Sequence, residues 1–209
     1  MNLPKPKKVS ANKYEAGLSQ FRKKIAKIKL SANESALGPS PKALSEYKKV
    51  SRTIRTYPDY NNFFLEKILG KKFKIDFKRI IIGSGSDQIF ELICRAFLKR
   101  NDEVIVPQYS FIIYRIYSKI CGAKVIYAKE DNFKISINNI LKKVTKKTKI
   151  IFLANPNNPT GTIISKLELL RLRKKLRKNI LLVIDDAYFE YVRDKDYESG
   201  LDLFQNSKN

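Results

Sequence analysis

The chain has 209 residues, 43% of them apolar and 11% aromatic, enough to bury a sizeable core in one globular domain. Lysine and arginine outnumber aspartate and glutamate 43 to 20, for a net charge of +23, yet the basic residues are scattered through every segment without a recognition motif, so no nucleic-acid partner is expected. No stretch approaches the roughly 18 consecutive apolar residues of a membrane span, Met1 to Val9 lacks a signal peptide's apolar run, and Cys94 and Cys121 read as buried reduced thiols, so a cytoplasmic protein without a membrane partner is expected.

Residues 1 to about 30 read as a basic leader with a helical patch around Phe21 to Ile28. A loop rich in Ser, Asn, Gly and Pro runs from Leu30 to Pro41, and Pro41 opens a helix through Tyr47 as a first-turn proline. A second loop holds Arg55-Thr56-Tyr57-Pro58-Asp59, and Phe63 to Leu69 carries apolar residues at helical spacing. From Arg79 onward short apolar runs alternate with amphipathic segments. Strands are predicted at Ile80 to Ile82, Glu103 to Val106, Lys124 to Tyr127, Ile150 to Leu153 and Leu181 to Ile184. Helices are predicted near Gln88 to Leu98, Phe111 to Ile120, Ile137 to Lys143 and Leu167 to Arg177. Strand and helix alternating in this way predict an α/β fold, a mostly parallel sheet with flanking helices.

Several polar turns directly follow the predicted strands, which places them at strand C-terminal ends, where open α/β sheets bind ligands. Gly83-Ser84-Gly85-Ser86-Asp87-Gln88 runs from a strand into a helix, so free N–H groups and a helix dipole meet there, a geometry that binds phosphate. The plainer alternative is that Ser86 or Asp87 only caps the helix. Tyr109 follows Pro107-Gln108 and could stack on a ring or pack in the core. Asn155-Pro156-Asn157-Asn158-Pro159-Thr160-Gly161 has more turn-forming residues than a turn needs. Asp185-Asp186, with Tyr188 beyond, follows Leu181 to Ile184 and could be a ligand carboxylate, a helix cap or a magnesium site. The magnesium reading has no Walker A partner, so no metal is expected. An amide, a carboxylate and a phenol at one edge suit a flat polar heteroaromatic cofactor. Pyridoxal 5′-phosphate is the candidate, because its ring nitrogen needs a carboxylate to stay protonated and act as an electron sink.

With these residues in view the sequence resembles the fold-type I pyridoxal-phosphate aminotransferases, and more narrowly the histidinol-phosphate aminotransferase family. The narrower resemblance rests on Lys29-Leu30-Ser31-Ala32-Asn33-Glu34-Ser35-Ala36-Leu37-Gly38-Pro39-Ser40-Pro41, with Tyr57-Pro58-Asp59 and Gly83-Ser84-Gly85-Ser86-Asp87 placed as that family places its own motifs. It covers residues 29 to 192. Gln88 stands where the family usually has Glu, and Ser35-Ala36 replaces Asn-Pro. The resemblance implies that the Gly85, Ser86, Asp87 and Gln88 turn holds the cofactor phosphate, mainly through backbone N–H groups. It implies that Tyr109 stacks on the ring, Asn158 and Tyr188 bond the ring hydroxyl oxygen, and Asp185 pairs with the pyridinium nitrogen. Tyr57 would reach the phosphate of the neighbouring subunit in a homodimer, and Asn33 would line the substrate side.

The implied reaction is transamination of histidinol phosphate, a phosphorylated amine, with 2-oxoglutarate and glutamate. The rivals are another class I/II aminotransferase, a threonine-phosphate decarboxylase or a non-catalytic remnant. The implied layout is an N-terminal arm and part of a small domain over residues 1–55, then an incomplete cofactor-binding large domain over 56–209. No residue of the chain is expected to be the catalytic lysine. The Schiff-base lysine is expected beyond Asn209, since Lys195 and Lys208 lie in polar sequence without its loop pattern, and the 209 residues alone are expected to be inactive.

Overall fold

The computed structural model describes residues 20–21, 24–25, 28, 30, 32–58 and 63–207. The leader over residues 1–19, with Lys29, Ser31, Asp59 and Lys208, lies outside the described residues. The described residues fall into two compact units, one within Lys13–Ile80 and the other over 81–207.

In the first unit, β1 (Gln20–Phe21) and β2 (Lys24–Ile25) pair antiparallel, where the pattern predicts a helical patch. Lys23 and Lys24 would lie one helical turn from Lys27, and like charges at that spacing oppose a helix that is already costly to nucleate. Helix α1 (Pro41–Val50) begins as predicted, with Pro41 in its first turn and the Ser40 hydroxyl accepting the Ala43 N–H at 3.1 Å. Helix α2 (Phe63–Phe73) outruns its predicted end at Leu69 because it packs forward. Phe63 meets Phe77 edge-on at 5.7 Å, and Gly70 lies so close to Ile75 and Phe77 that a Cβ there would sit 3.0 Å from the Ile75 carbonyl.

The segment from Ile80 to Ile82 departs from expectation. Ile80 is extended, but residues 80–82 pair with no described strand, so the strand predicted at Ile80 to Ile82 is absent there. Apolar, β-branched composition suits a strand, but a strand exists only where a partner meets its backbone groups. Helix α3 (Gly85–Phe97) follows, then β3 (Glu103–Pro107), α4 (Ile113–Ile120), β4 (Lys124–Ala128), α5 (Ile137–Lys143), β5 (Thr148–Ala154), α6 (Lys166–Lys175), β6 (Leu181–Asp185) and α7 (Gly200–Phe204). Helix α6 stops before the predicted Arg177 because the Arg173 guanidinium takes the carbonyls of Leu176, Arg177 and Ile180, closing its last turn.

The four strands form one parallel sheet in the order β4-β3-β5-β6. The strands read as continuous apolar runs because both faces are covered. Side chains alternate between the two faces. Val104, Val106, Ile150, Phe152 and Ala154 pack against Phe90 and Cys94 of α3 and Tyr114 of α4. Ile105, Ile151 and Leu153 pack against Ile137 and Ile140 of α5 and Leu169 and Leu172 of α6. The expected parallel sheet with flanking helices is therefore present. Cys94 is buried as expected, but Cys121, at the end of α4, is only half-buried. Burial pushes the Cys94 thiol up to about 12, so it stays protonated and inert.

Candidate functional site

Because β3, β5 and β6 run parallel, with Ala154 opposite Asp185, their C-terminal ends open on one edge of the sheet. The turns beyond them carry the polar residues that the sequence singles out. After β3, Tyr109 is 44% exposed and its ring lies against Phe133 at 5.3 Å. Its backbone N–H is held by the buried Glu130 carboxylate at 3.1 Å. Phe133 sits at φ 62°, a left-handed conformation costly for a bulky side chain, within a turn closed by Asp131 and Lys134. Gln108, Tyr109, Ser110, Arg115, Tyr127 and Pro159 line a cleft of about 720 Å³.

The first turn of α3 opens with Gly85 at φ 75°, a backbone that glycine adopts without strain. No side chain caps this turn from Ser84. Instead the Gln88 side chain reaches back and accepts the Ser84 N–H at 2.7 Å, and the Gly85 N–H turns to Gly83 O at 2.8 Å. Gln88 in place of Glu thus does the same local work without adding negative charge beside the turn. Asp87 is not a cap either. Its carboxylate accepts the Tyr117 hydroxyl of α4 at 3.0 Å, so neither Ser84 nor Asp87 caps the first turn, a setting that favours an anion.

The asparagine-rich turn after β5 divides its labour. Asn155 is buried and spends its amide on Ile164, accepting the N–H at 2.8 Å and donating to the carbonyl at 3.2 Å. Asn157 is buried too, accepting from the Ser110 hydroxyl at 3.0 Å and donating to Thr160 at 2.8 Å. Asn158 is half-buried and its side chain makes no hydrogen bond to the described residues, which leaves an amide for a ligand.

At the end of β6 the two aspartates part company. Asp185 Oδ2 accepts the Tyr114 hydroxyl at 2.6 Å, and Oδ1 accepts the Ala187 N–H at 3.1 Å. Asp186 accepts the Leu201 N–H at the start of α7 at 3.3 Å, and burial pushes its carboxyl up to about 6. The pair therefore does not converge on one ion. Tyr188 is half-buried, three residues past Asp185.

Gly85, Ser86, Asp87, Gln88, Tyr109, Asn158, Asp185 and Tyr188 all belong to the second unit, in turns at the sheet's C-terminal edge or the first turn of α3. Asn33 and Tyr57 belong to the first unit, where both are exposed. Sequence reasoning misses Tyr114, Tyr117 and Glu130, which bond Asp185, Asp87 and Tyr109, and Ser110, which bonds Asn157 beside Asn158. One signal was available: Tyr114 and Tyr117 stand on one face of a helix that follows a site strand, and a buried phenol needs a partner.

A histidinol-phosphate aminotransferase from Pelagibacter ubique is 58% identical over all 209 residues, which cover 58% of that protein. The chain thus spans a little over half the length of the curated relatives it matches. Among solved structures, a putative histidinol-phosphate aminotransferase from Erwinia carotovora atroseptica aligns at a TM-score of 0.79 with 26% identity, over 85% of this chain and 52% of that one. A histidinol-phosphate aminotransferase from Sinorhizobium meliloti, solved in complex with pyridoxal 5′-phosphate, shares the fold at a TM-score of 0.78 and 23% identity, over 83% of this chain and 47% of that one. The model of the aminotransferase class I and II family matches residues 25–209, and the chain belongs to that family.

Proposed function

We propose that these 209 residues are the N-terminal part of a histidinol-phosphate aminotransferase that binds pyridoxal 5′-phosphate and exchanges amino groups between histidinol phosphate and 2-oxoglutarate. The observation that carries the cofactor assignment is Asp185, a carboxylate fixed by two donors at the end of a site strand. The other donors fit the same group: first-turn amides of α3 without a cap from Ser84 for a phosphate, the unspent amide of Asn158 and the Tyr188 phenol for a ring oxygen, and the half-exposed Tyr109 ring for a stacking face. Support for the substrate comes from the name carried by the relatives, including one 58% identical along the whole chain.

Bound there, pyridoxal phosphate supplies an electron sink that lowers the cost of removing the substrate's α-proton. Asp185 keeps a proton on the ring nitrogen, and Ser86, Asp87 and Gln88 anchor the phosphate through their backbone. Asn158 and Tyr188 hold the ring's rotation, while Tyr109 covers one face. We assign Asn33 to the substrate side and Tyr57 to the neighbouring subunit's phosphate in a homodimer. Tyr57 is fully exposed, at 100%, and is free to reach outward. Among the described residues α1 buries none and α2 only Gly70, which leaves Leu44, Tyr47, Phe64 and Ile68 as apolar surface for a second subunit.

We read residues 1–55 as arm and part of a small domain, and 56–209 as part of the large domain. The two cysteines form no disulfide, which suits the cytoplasm. The relatives' additional length has room for the Schiff-base lysine, and that role is given to no residue of this chain.

The test is Asp185→Asn in the full-length enzyme, assayed with histidinol phosphate and, separately, threonine phosphate. Transamination of histidinol phosphate should fall by about a hundredfold or more, while phosphate-anchored cofactor stays largely bound. Near-normal turnover in that variant sinks the Asp185 assignment, and carbon dioxide release from threonine phosphate in place of amino transfer moves the enzyme to the decarboxylase class.

A further inference from the structure

We propose that Tyr114 is a positioning residue for Asp185, its hydroxyl fixing the rotation of the carboxylate that meets the cofactor ring. The proposal rests on the assignment of Asp185 made above. Tyr114 is fully buried, and its hydroxyl donates to Asp185 Oδ2 at 2.6 Å. A carboxylate at a strand end is otherwise free to turn about its Cβ–Cγ bond. Here Tyr114 holds one oxygen and the Ala187 N–H the other, so the plane of the group is set from both sides.

The donor is itself rigid. The Tyr114 ring stacks on Phe152 at 5.0 Å with 3° between planes, and Phe90 and Phe111 meet it edge-on at 4.9 and 5.8 Å. Burial, and then the charge of Asp185, push the phenol well above the usual tyrosine range, so it remains a donor at every working pH. A phenylalanine would fill the same space and bury no polar atom. The hydroxyl therefore has one distinctive consequence, a fixed bond to the Asp185 carboxylate. One turn along α4, Tyr117 holds Asp87 at the first turn of α3 at 3.0 Å, so one helix braces the ring-nitrogen end and the phosphate end together. Groups outside the first contact that orient a ligand commonly change affinity tenfold or more when lost.

The test uses the full-length protein stripped of cofactor and titrated with pyridoxal 5′-phosphate carrying ¹⁵N in its ring. Tyr114→Phe is expected to weaken binding about tenfold and to move the ring-nitrogen resonance part of the way toward that of Asp185→Asn. Phe111→Leu, which loosens the same packing and keeps the hydroxyl, should do neither. In an Asp185→Ala background Tyr114→Phe should change neither reading, since the carboxylate it acts through is gone.

A Tyr114→Phe protein that matches the unmodified one in both readings overturns the proposal. So does an equal loss in both backgrounds, or an equal shift from Phe111→Leu, because each would reduce Tyr114 to a packing residue. If Asp185→Ala alone leaves affinity and resonance unchanged, the underlying assignment of Asp185 fails, and Tyr114 has nothing to position.

Discussion

Asn155 and Asn158 stand three residues apart in one turn and should fail in opposite ways. Asn155→Ala removes two buried hydrogen bonds to Ile164 and leaves that residue's N–H and carbonyl, in a site 1% exposed, without partners. Each buried group left unpaired costs about 1–3 kcal/mol, so the variant should lose about 2–6 kcal/mol of stability. At about 2–4 °C per kcal/mol for a domain of this size, melting should fall by about 4–24 °C. Asn155→Asp should be no milder, because it keeps an acceptor for the Ile164 N–H, loses the donor to the carbonyl and buries a charge. Asn158→Ala, at a half-buried side chain with no bond to the described residues, should leave cofactor-free melting unchanged and weaken pyridoxal phosphate binding by about three- to tenfold. Differential scanning fluorimetry with and without cofactor, and a cofactor titration, separate the two. A normal melting point for Asn155→Ala, or a destabilised Asn158→Ala with full affinity, would refute the division of labour.

Asp186 should make stability depend on pH in the unusual direction for an aspartate. Burial raises its carboxyl to about 6, above the unfolded value near 4, so the native state keeps a proton that the unfolded chain gives up, and stability should decline as pH rises from about 4 through about 6. Asp186→Asn should remove that slope in melts taken across the range. Gly85→Ala meets nothing within 4 Å but must hold φ at 75°, so it should cost about 1–2 kcal/mol by backbone strain alone and weaken phosphate anchoring, measured as affinity for inorganic phosphate. Mixing Tyr57→Phe and Asp185→Asn subunits of the full-length enzyme should restore activity above either parent, since hybrid dimers contain one intact shared site. Hybrids no better than their parents would exclude the shared site.

The fold was legible because a parallel sheet covered on both faces writes itself as apolar runs. Ile150 to Leu153 and Glu103 to Val106 contain the residues that split between the two core faces, and the helix over Ile137–Lys143 has its predicted bounds. Where the reading failed, pairing decided. Ile80 to Ile82 has strand composition and no described partner, while Gln20–Phe21 has a basic, weakly patterned context and pairs anyway. Residue type reports what a segment would bury. It does not report who is beside it.

The site was legible in its outward-facing members for a related reason. Turn residues in excess of what a turn needs, and an acid at a strand end, are anomalies visible in the sequence; they single out the run from Asn155 to Gly161 and Asp185, and the family resemblance then selects Asn158. Their supports are ordinary residues made special by contacts far along the chain. Ser110 meets Asn157 across 47 residues and Tyr114 meets Asp185 across 71. A buried phenol on an amphipathic helix signals that a partner is needed, but no local pattern names Asp185 as that partner, nor tells Asn155 from Asn158 within a run that looks uniformly polar. The same asymmetry explains why the sequence offers Asp87 only as a phosphate anchor through its backbone or as a helix cap. Its carboxylate would repel a phosphate at that turn, and only the fold reveals that Tyr117 engages it, so that α4 settles the electrostatics of the anion end with one tyrosine and the geometry of the carboxylate end with the other.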